Sequence, residues 1–345
     1  MNESDYYNGL NVFYRGDYQK LQRVWERFQN WEAAFNKEGP DLDPKKELEK
    51  LENLNTQLIL KTDPEYPSLL KEIPFPPFGV YVLGDFRYDN PAPAIVGTRA
   101  ATPQGKELAK MFAEKLGRAG ITIVSGLAMG IDESAHRGAL EAGGLPAGQA
   151  GKTIAVLGTP LNHIYPKQNE TLAKEILKAG GAIISEFPFG QEYHPQNFLI
   201  RNRIISGLTK GTLVIEAPER SGALATARFA LEQNREVFVV PGSPGNKNYR
   251  GSNELIKQGA NLVTDPKDIL DYFGIQEKEV APTTARSDDV EENALLMALQ
   301  NKKTECSAEE LLQATDLEVG KLNQLLALLT IKGIIKEING KYYLP

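Results

Sequence analysis

The sequence predicts an α/β chain: a doubly wound, mostly parallel sheet, preceded by a small helical module and followed by a winged helix. Three observations carry this reading. Short apolar runs alternate with helical runs between Ala94 and Leu270, the pattern of strands joined by helical crossovers. Several of those apolar runs end abruptly in glycines and small polar residues. From Val290 onward the chain reads as three short helices and a hairpin. At 345 residues it is also longer than one ordinary core, so two or three domains are expected.

In chain order, residues 1–60 carry an apolar stripe at helical spacing, Leu21, Val24, Trp25 and Phe28, continued by Trp31, Phe35, Leu48, Leu51 and Leu54. Core burial is the ordinary meaning of such a stripe. Gly39-Pro40 and Asp43-Pro44 interrupt it. Prolines 64, 67, 74, 76 and 77 then forbid a continuing helix and lead, extended, into a strand at Gly79–Gly84.

The sheet domain is expected over 61–273. Its strands fall at 94–96, 121–124, 153–157, 182–185, 212–215 and 236–239, and its helices at 105–119, 132–142, 171–179, 224–233 and 253–258. Residues 274–289 are charged, small and turn-prone, a linker. Over 290–345, helices near 294–299, 308–313 and 319–329 precede a hairpin turned by Asn339-Gly340, the preferred two-residue loop.

Composition excludes several classes. The chain is 41% hydrophobic and 24% charged, ordinary globular material. Its net charge is -6, and no segment is basic: residues 61–289 hold 25 Lys+Arg against 26 Asp+Glu, residues 290–345 hold 6 against 8. A polyanion would therefore be gripped by a few placed arginines and backbone amides, not by a diffuse field. Cys306 is the only cysteine, which excludes an internal disulfide and a thiolate-rich zinc site; no metal or cofactor is expected. No apolar run has the length of a signal peptide or a membrane span, so no membrane partner and a cytoplasmic location are expected.

The chemistry is expected on the crests where strands give way to helices, since helix N-termini offer unpaired N–H groups to an anion. Gly97-Thr98-Arg99, running on to Ala100, can present amides to a phosphate and add a guanidinium; an unremarkable exposed arginine is the alternative. In the segment 125–132, Gly126, Ala128, Met129 and Gly130 allow a close backbone approach. Asp132 beyond them is either a helix N-terminal acid or a chemical group, and His136, one turn on, is either a buried histidine or its neighbour on one face.

A third crest, 157–169, offers Lys167, a phosphate contact or a solvated lysine, and Asn169, a helix cap. The fourth, Asn197-Phe198-Leu199-Ile200-Arg201-Asn202-Arg203, sets an aromatic beside two guanidinium groups, which suits the bases and phosphates of a single strand. One of those arginines is expected to turn inward, to Glu186 or Glu216, and the other to face the ligand. Ser221-Gly222 begins a helix after a strand, and Val239-Val240-Pro241-Gly242 closes the last strand similarly.

Taken jointly and in order, these segments, with Tyr165-Pro166-Lys167-Gln168-Asn169 and Gly251-Ser252-Asn253, resemble the DNA-processing protein A family, also called Smf, over about Tyr66 to Leu270. The resemblance implies an extended Rossmann-like domain that binds single-stranded DNA without catalysis, dimerises, and hands the strand to the RecA recombinase during natural transformation or related recombination. Arg99 and Phe198 match the family's arginine and aromatic at the DNA. Some members carry a lysine just before that aromatic; here His194-Pro195-Gln196-Asn197 stands instead, so that contact is lost or passes to His194 or Lys167.

The segment Phe28-Gln29-Asn30-Trp31-Glu32-Ala33-Ala34-Phe35 resembles the family's sterile-alpha-motif or helix-hairpin-helix unit, but no Gly-x-Gly hairpin precedes it. The winged helix, with its acidic balance, suits protein contact or autoregulation better than duplex reading. Apolar surface over 211–262 is the expected site of dimerisation. The alternative is an enzyme related to nucleoside-monophosphate phosphoribohydrolases, but the loop Glu219 to Thr226 lacks their glycines and their acid. An NAD-type oxidoreductase lacks its Gly-x-Gly-x-x-Gly.

Overall fold

Alternation along the strands sets the architecture. In the computed structural model Val96, Val214 and Val239 point into one apolar layer, whereas Ile95, Leu213 and Phe238 point into another. A sheet apolar on both faces must be covered on both faces. Residues 1–39, 41–87, 93–142, 151–192, 194–275, 290–302, 305–315, 317–331, 334–338 and 340–343 are described. They divide into two units, Met1–Lys278 and Glu279–Pro345.

The first unit opens with four helices, α1 (Glu3–Phe13), α2 (Tyr18–Phe28), α3 (Trp31–Glu38) and α4 (Pro44–Glu52). Each starts on a side-chain cap: Asn2, Asp17, Asn30 and Asp43 accept a backbone N–H of the following turn. The aromatic stripe read from the sequence is their core. Trp31 is 2% exposed and sits edge-on to Tyr7 at 5.0 Å. Residues 56–60, taken from the sequence as the end of the helical module, instead form strand β1 (Thr56–Leu60), because Leu58 and Leu60 bury against that core.

After the short helix α5 (Ser68–Lys71), the chain continues through β2 (Gly79–Gly84), β3 (Ala94–Val96), α6 (Pro103–Arg118), β4 (Ile123–Ser125), α7 (Ile131–Glu141), β5 (Thr153–Leu157), α8 (Glu170–Lys178), β6 (Ala182–Ser185), α9 (Pro195–Gly207), β7 (Gly211–Val214), α10 (Gly222–Glu232), β8 (Glu236–Val239), α11 (Arg250–Lys257), β9 (Asn261–Leu262) and α12 (Pro266–Phe273). Strands pair in the orders β1-β2-β6-β5-β4 and β3-β7-β8-β9. The second set is wholly parallel, and so are β4-β5-β6; β1 and β2 run antiparallel and make the first sheet mixed. The Ser125 hydroxyl donates to the Ile95 carbonyl at 2.6 Å and ties β4 to β3 side by side.

The helix at α9 was not assigned from the sequence. It covers the first apolar layer with Ile204, Ile205 and Leu208, all at most 1% exposed, while α6 covers the second with Phe112 and Leu116. Burying side chains of this size stabilises by about 1.5–3 kcal/mol each.

In the second unit, α13 (Val290–Lys302), α14 (Ala308–Ala314) and α15 (Val319–Ile331) pack with a three-stranded antiparallel sheet, β10 (Cys306–Ser307), β12 (Lys341–Tyr343) and β11 (Lys336–Ile338). Its core is Leu295, Leu299, Leu311, Leu325, Leu326 and Leu329, with Cys306 fully buried among them. Residues 276–289 of the expected linker and Asn339 of the expected turn lie outside the described residues.

Candidate functional site

The strand order reverses at β3, the edge strand that lies beside β4 where the two sheets meet. From there the chain adds β4, β5 and β6 on one side, then returns to the other side with β7. Such a reversal leaves a crevice beyond the carboxyl ends of the two flanking strands. Here it is an open cleft of about 390 Å³, lined by the loops after β3 and β7, by Ala128 and Asp132 and by one face of α9.

The floor of the cleft is a buried acid. Asp132, 6% exposed in the first turn of α7, receives backbone N–H bonds from Ala128, Gly126 and Gly97 and faces the Arg201 guanidinium. Burial pushes its carboxyl up to about 6 against those stabilising partners. The amides that the sequence reading held out to a ligand phosphate are thus taken by an internal carboxylate. Thr98 is committed likewise: its N–H donates to the Glu216 carbonyl at 2.7 Å, and its hydroxyl accepts from Ala100 N–H. Both glycines are needed for the close approach. A Cβ on Gly97 would lie 2.4 Å from Ile131 Cγ1, and one on Gly126 2.8 Å from the Arg201 guanidinium.

Helix α9 starts with Pro195 in its first turn, where a missing N–H costs nothing. It brings Phe198, Arg201 and Asn202 to the cleft. Arg201 is 4% exposed; it donates to the carbonyls of Gly126 and Val156 and to Asn202 Oδ1. Burial lowers its guanidinium to about 10, with Asp132 raising and Arg99 lowering it, so it remains charged at neutral pH. Asn202 Nδ2 donates in turn to the Gly222 carbonyl at 3.2 Å, joining α9 to the start of α10.

Arg99 is exposed on the lip and makes no ion pair among the described residues. Its guanidinium carbon lies 5.5 Å from the centroid of the Phe198 ring, cation–π distance. Tyr165 packs on that ring at 5.2 Å, and Met129, Tyr165 and Pro166 extend the wall beside it. Opposite, Ser221 caps α10 by accepting from Ala223 N–H, and Gly222 and Arg220 stand exposed next to it.

Gly97, Thr98, Arg99, Ala100, Ala128, Phe198, Arg201, Asn202, Ser221 and Gly222 all line the cleft, and Gly126 and Met129 line the recess beside Phe198. Other expected residues do not reach it. Arg203 points to the opposite side of α9 and forms a two-pronged pair with Glu186 at 2.9 and 2.6 Å. Asn169 is buried and donates to the Leu127 carbonyl, holding that leucine's left-handed backbone, φ 57°. Lys167 is exposed and Asn197 buried, and neither lines the cleft; Gly130 lies under it, packed on the Thr98 and Arg99 carbonyls.

His136 is fully buried. The single hydroxyl proton of Thr153 goes to the Ile123 carbonyl, so His136 donates to Thr153 from Nδ1 at 2.7 Å. Burial, with Arg201 nearby, lowers its imidazole to about 3.

Sequence reasoning missed Arg220, Thr226 and, above all, Glu216 as an organiser. The Glu216 carboxylate is wholly buried, accepts from Thr102 N–H and hydroxyl and from Asn248, and so clamps the start of α6 to the end of β7. Burial and Glu216 together push the Tyr249 hydroxyl up to about 12. A carboxylate ending an apolar strand, Thr212-Leu213-Val214-Ile215-Glu216, was the available signal.

The family model described as DNA recombination-mediator protein A matches residues 57–274. Protein Smf of Synechocystis sp. PCC 6803 is 36% identical over 88% of this chain and 83% of its own length. Protein Smf of Escherichia coli K12 is 44% identical over 69% of this chain, which spans 64% of that relative's length. A solved structure of DNA processing protein A from Helicobacter pylori, reported for its single-stranded DNA binding mode, superposes with a TM-score of 0.54 at 30% identity, covering 63% of this chain and 95% of that one.

Proposed function

We propose that this chain, which belongs to the DNA recombination-mediator protein A family, takes up single-stranded DNA in the cleft at the β3–β7 reversal. The observation that carries the reading is the Arg99 guanidinium over the Phe198 ring at the cleft lip. A guanidinium gives a phosphate a charged, forked donor, and an aromatic ring gives any base a face to stack on, so binding is tolerant of sequence. Arg220 and the N-terminus of α10 add positive potential on the far wall. Asp132 supplies little net negative charge to a ligand, because the nearby Arg201 guanidinium offsets it.

In this reading the protein is a binder and not an enzyme. It works in the cytoplasm as a homodimer and delivers the strand to the RecA recombinase in transformation or recombination. Residues 1–55 form a helical module, 56–273 the DNA-binding domain and 290–345, after a linker, a winged helix that serves protein contact.

Fluorescence anisotropy with a labelled oligothymidylate at a series of salt concentrations tests it. Arg99→Ala is expected to weaken binding and to flatten the slope of log K against log salt by about 0.7, one phosphate contact on a single strand. Unchanged affinity at every salt concentration contradicts the role of Arg99.

A further inference from the structure

We infer that Tyr18, in the first turn of α2, is a positioning residue for the cleft: its ring closes the back of α9 over the Arg203–Glu186 pair and so sets the pose of Phe198 and Arg201. This rests on the single-strand reading of the cleft for its consequence, though not for its geometry. Arg201 and Arg203 are two residues apart, about 200° around a helix, so one helix shows one arginine to the cleft and the other to the N-terminal helices.

The back side is a built contact. Arg203 and Glu186 have side chains 7% and 9% exposed, a charged pair that holds only while water is kept out and every prong is matched. The Arg203 guanidinium carbon lies 5.6 Å from the Tyr18 ring centroid, and Tyr18 stacks in turn on Phe78 at 5.4 Å, which meets Trp31. A second thread arrives from α1. Asn11 Nδ2 donates to the Glu186 carbonyl and to Tyr81 Oη, whose own proton goes to Asn8 Oδ1. Gln233 Nε2 donates to the Arg203 carbonyl and its Oε1 accepts from Ser206, locking α9 to α10. Helix α9 therefore has its cleft face on one side and the N-terminal helical unit on the other, with Tyr18 as the lid on the ion pair between them.

The test uses the full chain with Tyr18→Leu, Tyr18→Phe and Arg203→Lys. Tyr18 is half-buried, so leucine leaves no closed hole. Amide hydrogen exchange without DNA reads how firmly α9 is held. Tyr18→Leu and Arg203→Lys are expected to speed exchange over 198–205 and leave α6 unchanged, and Tyr18→Phe to match the wild type. Oligothymidylate affinity is expected to fall about fivefold in the first two, the low end of couplings between separate sites, with an unchanged salt slope because no phosphate contact is lost.

Wild-type exchange in α9 together with wild-type affinity overturns the inference. Equal acceleration in α6 and α9 also overturns it, since that is loss of global stability. If the wild type itself binds no single strand, the function reading fails while the exchange arm still decides whether Tyr18 braces α9.

Discussion

Asp132 and Arg99 show how two residue types adjoining the same loops come to opposite roles. Arg99 is exposed over the Phe198 ring, whereas Asp132 is held at the cleft floor by backbone amides and lies in the field of the Arg201 guanidinium. With its carboxyl at about 6 instead of 3.8, Asp132 favours the folded state below 3.8, and that contribution is lost as pH rises through 6. His136 runs the other way: lowered to about 3 from 6.5, its contribution is present above 6.5 and lost as pH falls toward 3. Binding follows Asp132. As pH falls through 6 the carboxyl takes a proton, Arg201 is released from its counter-charge, and affinity for oligothymidylate is expected to rise. Asp132→Asn is expected to bind with no such rise. The same pH dependence in both proteins, measured by anisotropy, contradicts this.

Helix α9 is the element on which the site depends and the one the sequence concealed. Amphipathic helices announce themselves by a polar stripe, but in α9 Arg201, Asn202 and Arg203 are each less than 8% exposed while Leu199 and Ile200 are exposed, so the helix carries its charges inward and apolar side chains outward. By contrast, the strands at Ala94–Val96, Thr153–Leu157 and Ala182–Ser185 fall where the apolar runs place them, because parallel strands buried on both faces have nothing polar to disguise them. The crests were legible as a group; what their amides bind was not. Gly97, Gly126 and Ala128 satisfy Asp132, a partner that only the fold brings within reach. The same burial separates the arginines. Arg201→Ala leaves the Gly126 and Val156 carbonyls without their donor and the buried Asp132 without its nearby counter-charge, and is expected to cost about 3–5 kcal/mol. Arg99→Ala, on the surface, is expected to stay within about 0.5 kcal/mol. Urea unfolding of the two variants checks this, and equal midpoints contradict it.

At the scale of the molecule, a chain of net charge -6 concentrates Arg99, Arg201 and Arg220 around one cleft because the sheet reverses its order there. Charge counts by segment could not reveal this, since the three arginines come from three loops and helices far apart in sequence. Composition still bounded the answer: a generally basic coat was excluded, and a placed grip was what remained. The strands β1 and β9 escaped the sequence reading because both are partly exposed and lack the continuous buried apolar run of the central strands.

The central claim is that a single strand lies between Arg99 and Phe198. Photocrosslinking of a short oligothymidylate to the full chain, with the adducts mapped by mass spectrometry, tests it most directly. The account expects adducts on the Phe198 segment and on the peptide that follows β3, both lost when Arg99→Ala is combined with Phe198→Ala. Adducts confined to the N-terminal helices or to residues 290–345, with none around the cleft, would contradict it.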